Sequence, residues 1–210
     1  MKTSELIENL SSESSTVKFQ NPAILFIKWV ALSVVYLALM LLVFGIRPDV
    51  LYKLQTALFI AELASLLLIA LTVGVAAIIL SYPDAYQKRY LIFLPIIPAI
   101  AFVITLFFEV QTQVATPVQN EQHMLGCFLC ICILALGPAF LLFKQLMQNA
   151  STSPRLASAM AVLAAFSLGA LTIRLSEKVD SMMHIIGAHY LPLLFLTVIG
   201  LLAGRKLLKW

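Results

Sequence analysis

Charge is what this chain has least of. Of its 210 residues, only 11% are Asp, Glu, Lys or Arg, against about 25% in soluble domains. Hydrophobic residues reach 61%, and the mean hydropathy is +0.99. So few charges cannot cover so much apolar surface, which excludes a soluble domain and a disordered chain alike. Cysteine is scarce as well. Cys127, Cys130 and Cys132 all lie in one apolar run, so no disulfide framework is suggested and a stapled secreted module is excluded. There is no Gly-rich phosphate loop, no His-Glu-x-x-His and no nucleophile elbow. Ser, His and Asp occur, but no motif places them together. The sequence therefore points to no enzyme and no cofactor. Its net charge of +4 comes from basic residues set between apolar runs, a topology signal rather than a nucleic-acid one.

What the chain does have is long apolar runs. Crossing roughly 30 Å of hydrocarbon at 1.5 Å per residue takes about 20 residues. Six runs qualify, at about 23–46, 57–80, 90–108, 124–146, 155–174 and 185–204. In lipid each must satisfy its own backbone, so each is expected to be a helix, and none alternates like a barrel strand. The first run is too long for a signal-peptide core and follows a polar stretch of some 22 residues. The expected fold is an all-α polytopic membrane protein of six transmembrane helices. Six spans put both termini on one side, and Lys and Arg choose it. With the termini inside, inner segments hold ten of the 14 basic residues: Lys2, Lys18, Lys28, Lys88, Arg89, Lys144, Arg155, Arg205, Lys206 and Lys209. Outer loops hold Arg47, Lys53, Arg174 and Lys178. Both termini are thus expected in the cytoplasm. The chain divides into a cytoplasmic segment 1–22, a bundle 23–204 and a basic tail 205–210. Loops are too short to form a further domain, and no internal repeat stands out.

Residues 1–22 read MKTSELIENLSSESSTVKFQNP. Thr3 or Ser4 can cap a short helix whose first turns carry Glu5 and Glu8. Leu6, Ile7 and Leu10 share one face of it, and the serine run at 11–15 ends it. So short a helix is marginal alone in water and could order by docking its apolar face in a partner's groove. The alternative is a frayed tail.

Ionisable groups inside lipid are costly. Glu62 lies about one and a half turns into the second span, His189 at similar depth in the sixth, His184 near that span's mouth and His123 at the start of the fourth. All fall toward the outer face. They admit either a proton, metal or small-ligand site, or a bundle-buried Glu62 with interfacial histidines; the second is the simpler expectation. His123, Cys127 and Cys130 follow at i, i+4 and i+7 on one helical face, able to hold a soft metal or answer an oxidant. A lone Cys-x-x-Cys without a second pair falls short of a zinc set, and cysteine also serves as a small buried apolar residue. Pro95, Pro98, Pro138 and Pro192 lie within spans, where each can kink a helix. Gly200 and Gly204 form a Gly-x-x-x-Gly that allows close helix packing. Trp29, Tyr36 and other aromatics read as interfacial anchors.

Several landmarks recur together in a known pattern: the start MKTSELIENL, Arg47-Pro48-Asp49-Val50, Leu80-Ser81-Tyr82-Pro83-Asp84, a Cys followed by a Pro in the fourth span, and the closing Gly204-Arg205-Lys206-Leu207-Leu208-Lys209-Trp210. In order, spacing and length the chain resembles the NrsF-like family, six-span bacterial negative regulators of extracytoplasmic-function sigma factors. The resemblance covers essentially the whole chain. It implies an anti-sigma factor of the bacterial inner membrane, without enzymatic activity. Its N-terminal segment, here with Leu6, Ile7 and Leu10, would hold an extracytoplasmic-function sigma factor until a stress signal linked to cysteines releases it. The family's fourth-span cysteine corresponds to Cys127, or else to Cys130. Its second cysteine belongs in the last outer loop, where this chain reads Arg174-Leu-Ser-Glu-Lys-Val-Asp180 and has none. Sensing could then involve His184 or His123 with Cys127. The competing readings are a small transporter, or a metal- or redox-sensing membrane protein, using Glu62 and the outer His and Cys residues.

Overall fold

The computed structural model describes residues 20–112 and 121–208, apart from the side chains at 89 and 121–123. Among the described residues there is no strand, and six helices are long and apolar enough to cross a membrane. Here α1 is Pro22–Phe44, α2 Ala57–Leu80, α3 Ile96–Thr112, α4 Glu121–Leu146, α5 Pro154–Ser176 and α6 Leu191–Leu207. Leu6, Ile7 and Leu10 lie outside the described residues.

Helix boundaries follow local chemistry. Asn21 caps α1, its side-chain oxygen accepting from the Ala23 N–H at 2.9 Å, with Pro22 in the first turn. Gly45 ends α1 at φ 80°, a conformation that costs glycine little. The third span begins as a 3₁₀ segment, Ala85–Phe93, and becomes α-helical only at Ile96. Pro95 and Pro98 stand at that junction, where first-turn N–H groups have no helical partner to lose, so they set a start rather than a kink. The sixth span begins earlier than its apolar run suggests. A turn, Met182–His184, leads into a π-helical segment, Ile185–Tyr190, and then into α6.

The bundle is built around α5, which packs most extensively on α2, α6 and α4. The sequence explains this place. Ala157, Ala161, Ala164, Ala165 and Ala170 leave no bulk on α5, so three neighbours approach closely. On α6, a Cβ added at Gly204 would lie 2.5 Å from the Pro154 carbonyl oxygen, and one at Gly200 would meet Val162 at 2.8 Å. The Gly-x-x-x-Gly is therefore the α5–α6 seam.

Trp29 corrects the reading of it as an interfacial anchor. It is fully buried against Gly74 of α2, and its indole N–H donates to the Pro138 carbonyl at 3.0 Å. Tyr36 donates to the Ile133 carbonyl at 2.7 Å. These two bonds fix α1 on α4. Large apolar side chains such as Leu42, Ile97, Leu129 and Leu202 stand exposed around the outside, a surface suited to lipid and not to water.

Six antiparallel spans give the bundle two distinct ends. The end that holds Gln20 and Leu208 is tied by neutral hydrogen bonds. Asn149 donates to Ser81 Oγ at 2.9 Å, Ser151 donates to the Leu80 carbonyl at 2.7 Å, and the Tyr82 hydroxyl donates to the Gln20 carbonyl. The opposite end is held by charge.

Candidate functional site

At the end remote from Gln20 and Leu208, Glu62 of α2 faces Arg174 in the last turn of α5. Both oxygens of the carboxylate accept from the guanidinium, Nε and Nη2 at 2.8 Å each. Glu62 is 0% and Arg174 3% exposed. The Tyr190 hydroxyl also donates to Glu62. Arg174 was expected in an outer loop, free to act as a topology cation; the helix runs past it and buries it on its counter-charge.

A second fork lies beside the first. Arg47 gives Nε and Nη2 to the two oxygens of Asp49, 2.8 Å each, and Nη1 and Nη2 to Asp180 at 3.1 and 2.9 Å. Lys53 reaches Asp180 at 2.7 Å, and Arg174 Nη1 comes within 3.6 Å of it. The ring of Phe59 lies between the two guanidinium groups, 5.8 Å from that of Arg47 and 5.3 Å from that of Arg174. Arg47, Lys53 and Arg174 thus meet Asp49, Asp180 and Glu62 in equal number, with Arg47, Arg174 and Glu62 buried and Asp49, Lys53 and Asp180 partly exposed. The fork with Asp49 keeps the Arg47 guanidinium charged and holds Asp49 down to about 2. Burial pushes Asp180 up, but Arg47 and Lys53 outweigh it and hold its carboxyl below the usual range. Glu109 of α3 is buried at the edge of this network, lining a cavity of about 160 Å³ with Lys53, Arg174 and Asp180.

Three residues before Asp180, the same loop carries Glu177, the centre of a different cluster. Cys127 Sγ donates to Glu177 Oε1 at 3.1 Å. His184 Nε2 lies 3.0 Å from Oε1, and His189 Nε2 lies 2.9 Å from Oε2. One donor atom from each of Cys127, Glu177, His184 and His189 falls within 4.8 Å of every other. All four are nearly buried. Burial pushes the Glu177 carboxyl up, yet the contacts of His189 and Cys127 outweigh it and bring it to about 2.

The π-helical segment makes this cluster. On an α-helix, residues five apart point about 140° away from each other. A π-turn bonds i to i+5, and here the Leu191 N–H donates to the Ile186 carbonyl. The widened turn brings His184 and His189 onto one side, their rings 5.2 Å apart. It also sets Tyr190, the next residue, toward Glu62.

The sequence-predicted residues therefore divide. Glu62, Cys127, His184 and His189 gather at one end, in two adjoining clusters. Cys130, expected beside Cys127, is half-buried against the apolar core and takes no part, and Cys132 stays apart too. His123 begins α4, and its side chain lies outside the described residues. Glu177, Arg174, Arg47 and Asp180 complete the site, and none of them carries a site signal in the sequence. A loop acid or a loop arginine looks ordinary in sequence; Glu62, a carboxylate in an apolar run, is the one signal that a buried polar partner could be near it.

A family description, NrsF, negative regulator of sigma F, matches residues 10–210, nearly the whole chain. Neither a curated protein nor a solved structure matches.

Proposed function

The chain belongs to the NrsF family, and from that premise we propose that it holds an extracytoplasmic-function sigma factor at the bacterial inner membrane until a stress signal releases it. The family match is the observation that carries this reading. Segment 1–22 is the tether, with Leu6, Ile7 and Leu10 as its apolar anchors in a groove of the sigma factor. Ten of the 14 basic residues favour the side on which both termini lie, which supports a cytoplasmic tether. The charged end of the bundle then faces outward. The signal is read there, at Cys127 with His184, and needs to favour one state of the bundle over the other to change sigma occupancy. Charges gathered at one end, with none of them strung across the midplane, favour this reading over a transporter.

The test is co-purification. Full-length protein is extracted from its native membrane in mild detergent beside a version lacking residues 1–22. A sigma factor that appears only with the intact chain supports the tether. Replacing Leu6, Ile7 and Leu10 together by Ser should abolish the same capture. A sigma factor with neither version, or equally with both, overturns the reading.

A further inference from the structure

We propose that Cys127, Glu177, His184 and His189 form a binding site for one divalent transition-metal ion of the zinc class. The regulatory meaning of this site rests on the function proposed above; its existence does not. The donor set is one sulfur, two imidazole nitrogens and one carboxylate oxygen. Zinc takes these ligand types in a tetrahedron at about 2.0–2.3 Å, which puts neighbouring donors about 3.3–3.8 Å apart. The four donors already stand within 4.8 Å of one another, and three of the contacts through Glu177 measure 2.9–3.1 Å. They come from three separate segments: α4, the loop after α5, and the turn leading into α6. Such convergence is what a metal site requires and what a cysteine pair on a single helix lacks.

Charge selects the ion. A thiolate and a carboxylate carry two negative charges and neutral imidazoles none, so a divalent ion leaves the filled site neutral. A monovalent ion would leave a net negative charge at the boundary of a low-dielectric bundle. Binding breaks the Cys127 S–H bond and releases its proton to solvent as the metal–sulfur bond forms, with no change of oxidation state. The cross-helix neighbours of Cys127 in this cluster are Glu and His, so the geometry favours coordination over disulfide formation. The imidazoles bind through Nε2, the atoms that now face Glu177.

The site also reaches the charged network. Glu177 and Asp180 belong to one short loop, and His189 precedes the tyrosine that donates to Glu62. Drawing Glu177, His184 and His189 toward a metal therefore acts on both forks. An ion that binds one arrangement of the bundle better than another meets the condition for a signal.

The test uses full-length protein in detergent, stripped with a chelator and titrated with Co(II), then with Zn(II). One cobalt per chain is expected, with tetrahedral d–d bands and a thiolate charge-transfer band, all displaced by zinc. Cys127→Ser should lose the charge-transfer band. His184→Ala and His189→Ala should weaken binding by more than the roughly 10–100-fold that outer-shell changes cost. Cys132→Ser should change nothing. Because a variant can fail to fold, X-ray absorption on the zinc-loaded parent is the second measurement. One sulfur at about 2.3 Å with nitrogen and oxygen at about 2.0–2.1 Å supports the site. A shell without sulfur, sub-stoichiometric cobalt, or a spectrum unmoved by Cys127→Ser overturns it. The co-purifying sigma factor is scored in the same samples. Metal without a sigma factor sinks the tether and leaves the site; a sigma factor without metal does the reverse.

Discussion

Glu62 and Arg174, 112 residues apart, share a two-bond fork at 2.8 Å with almost no exposure to solvent. Removing one partner leaves the other charge buried and uncompensated, at a cost of about 3–5 kcal/mol, whereas apolar replacement of both is far milder. Arg174→Met and Glu62→Leu should each lower the melting temperature in detergent sharply. The double substitution should be more stable than either single one. Its recovery is partial, because the Tyr190 hydroxyl loses its acceptor at about 1–3 kcal/mol. A double variant as unstable as the sum of the singles would show that the two residues do not act as a pair.

The Arg47–Asp49 fork should be sensitive to acid in a narrow window. Asp49 falls from 3.8 to about 2 through its bonds to Arg47, so folding favours the ionised carboxylate. Its contribution is fully present above 3.8 and lost as pH falls through about 2. Asp49→Asn should melt below the parent at neutral pH, and the gap should close across that window. Melting curves for both proteins against pH decide it; a gap of constant size down to pH 2 would mean the fork is not held by charge.

The spans were legible because the apolar length of a crossing helix is set by the bilayer, and nothing else in the sequence imitates it. Their ends were less so. Pro95 and Pro98 delay α3 until Ile96, and the π-turn moves the start of the sixth span back to Met182. The site was half legible. Glu62, Cys127, His184 and His189 stood out as polar groups in apolar runs. Glu177 and Arg174 did not, since each becomes special only through a partner distant in sequence. The pairing of His184 with His189 was hidden outright, because α-helical periodicity sets residues five apart on different faces. The family landmarks gain physical meaning in the same way. Arg47-Pro48-Asp49 makes a fork, Ser81 and Tyr82 anchor the opposite end, and Gly204 closes the α5–α6 seam.

That seam can be tested by bulk. A Cβ at Gly204 would meet backbone atoms, the Pro154 oxygen at 2.5 Å and Arg155 Cα at 2.8 Å, which cannot swing aside like a side chain. Gly204→Val should destabilise the bundle by about 1–3 kcal/mol, the usual cost of overpacking. Gly126→Ala is the control. Among the described residues nothing lies within 4 Å of its added carbon, and the helix gains about 0.5–1 kcal/mol from losing a glycine. Opposite shifts in melting temperature are expected; equal shifts would remove the argument that the α6 backbone rests directly on α5.

Arg47 and Glu177 offer the sharpest check on whether the two clusters work as one. They do not bond to each other, yet the loop around Glu177 is held on both sides. The Arg47 N–H donates to the Leu175 carbonyl at 3.0 Å, Ser176 donates to the Gly45 carbonyl at 2.5 Å, and Arg47 grips Asp180 beyond Glu177. Glu177 is thus pinned before and after by contacts with the α1–α2 loop. A cycle of Arg47→Met, Glu177→Gln and the double variant should give an interaction energy of at least about 0.5 kcal/mol, the level that separates coupled sites from additive ones. Additivity within error would mean that the loop transmits nothing, and a signal received at Glu177 would then have to reach the bundle through Tyr190 and Glu62.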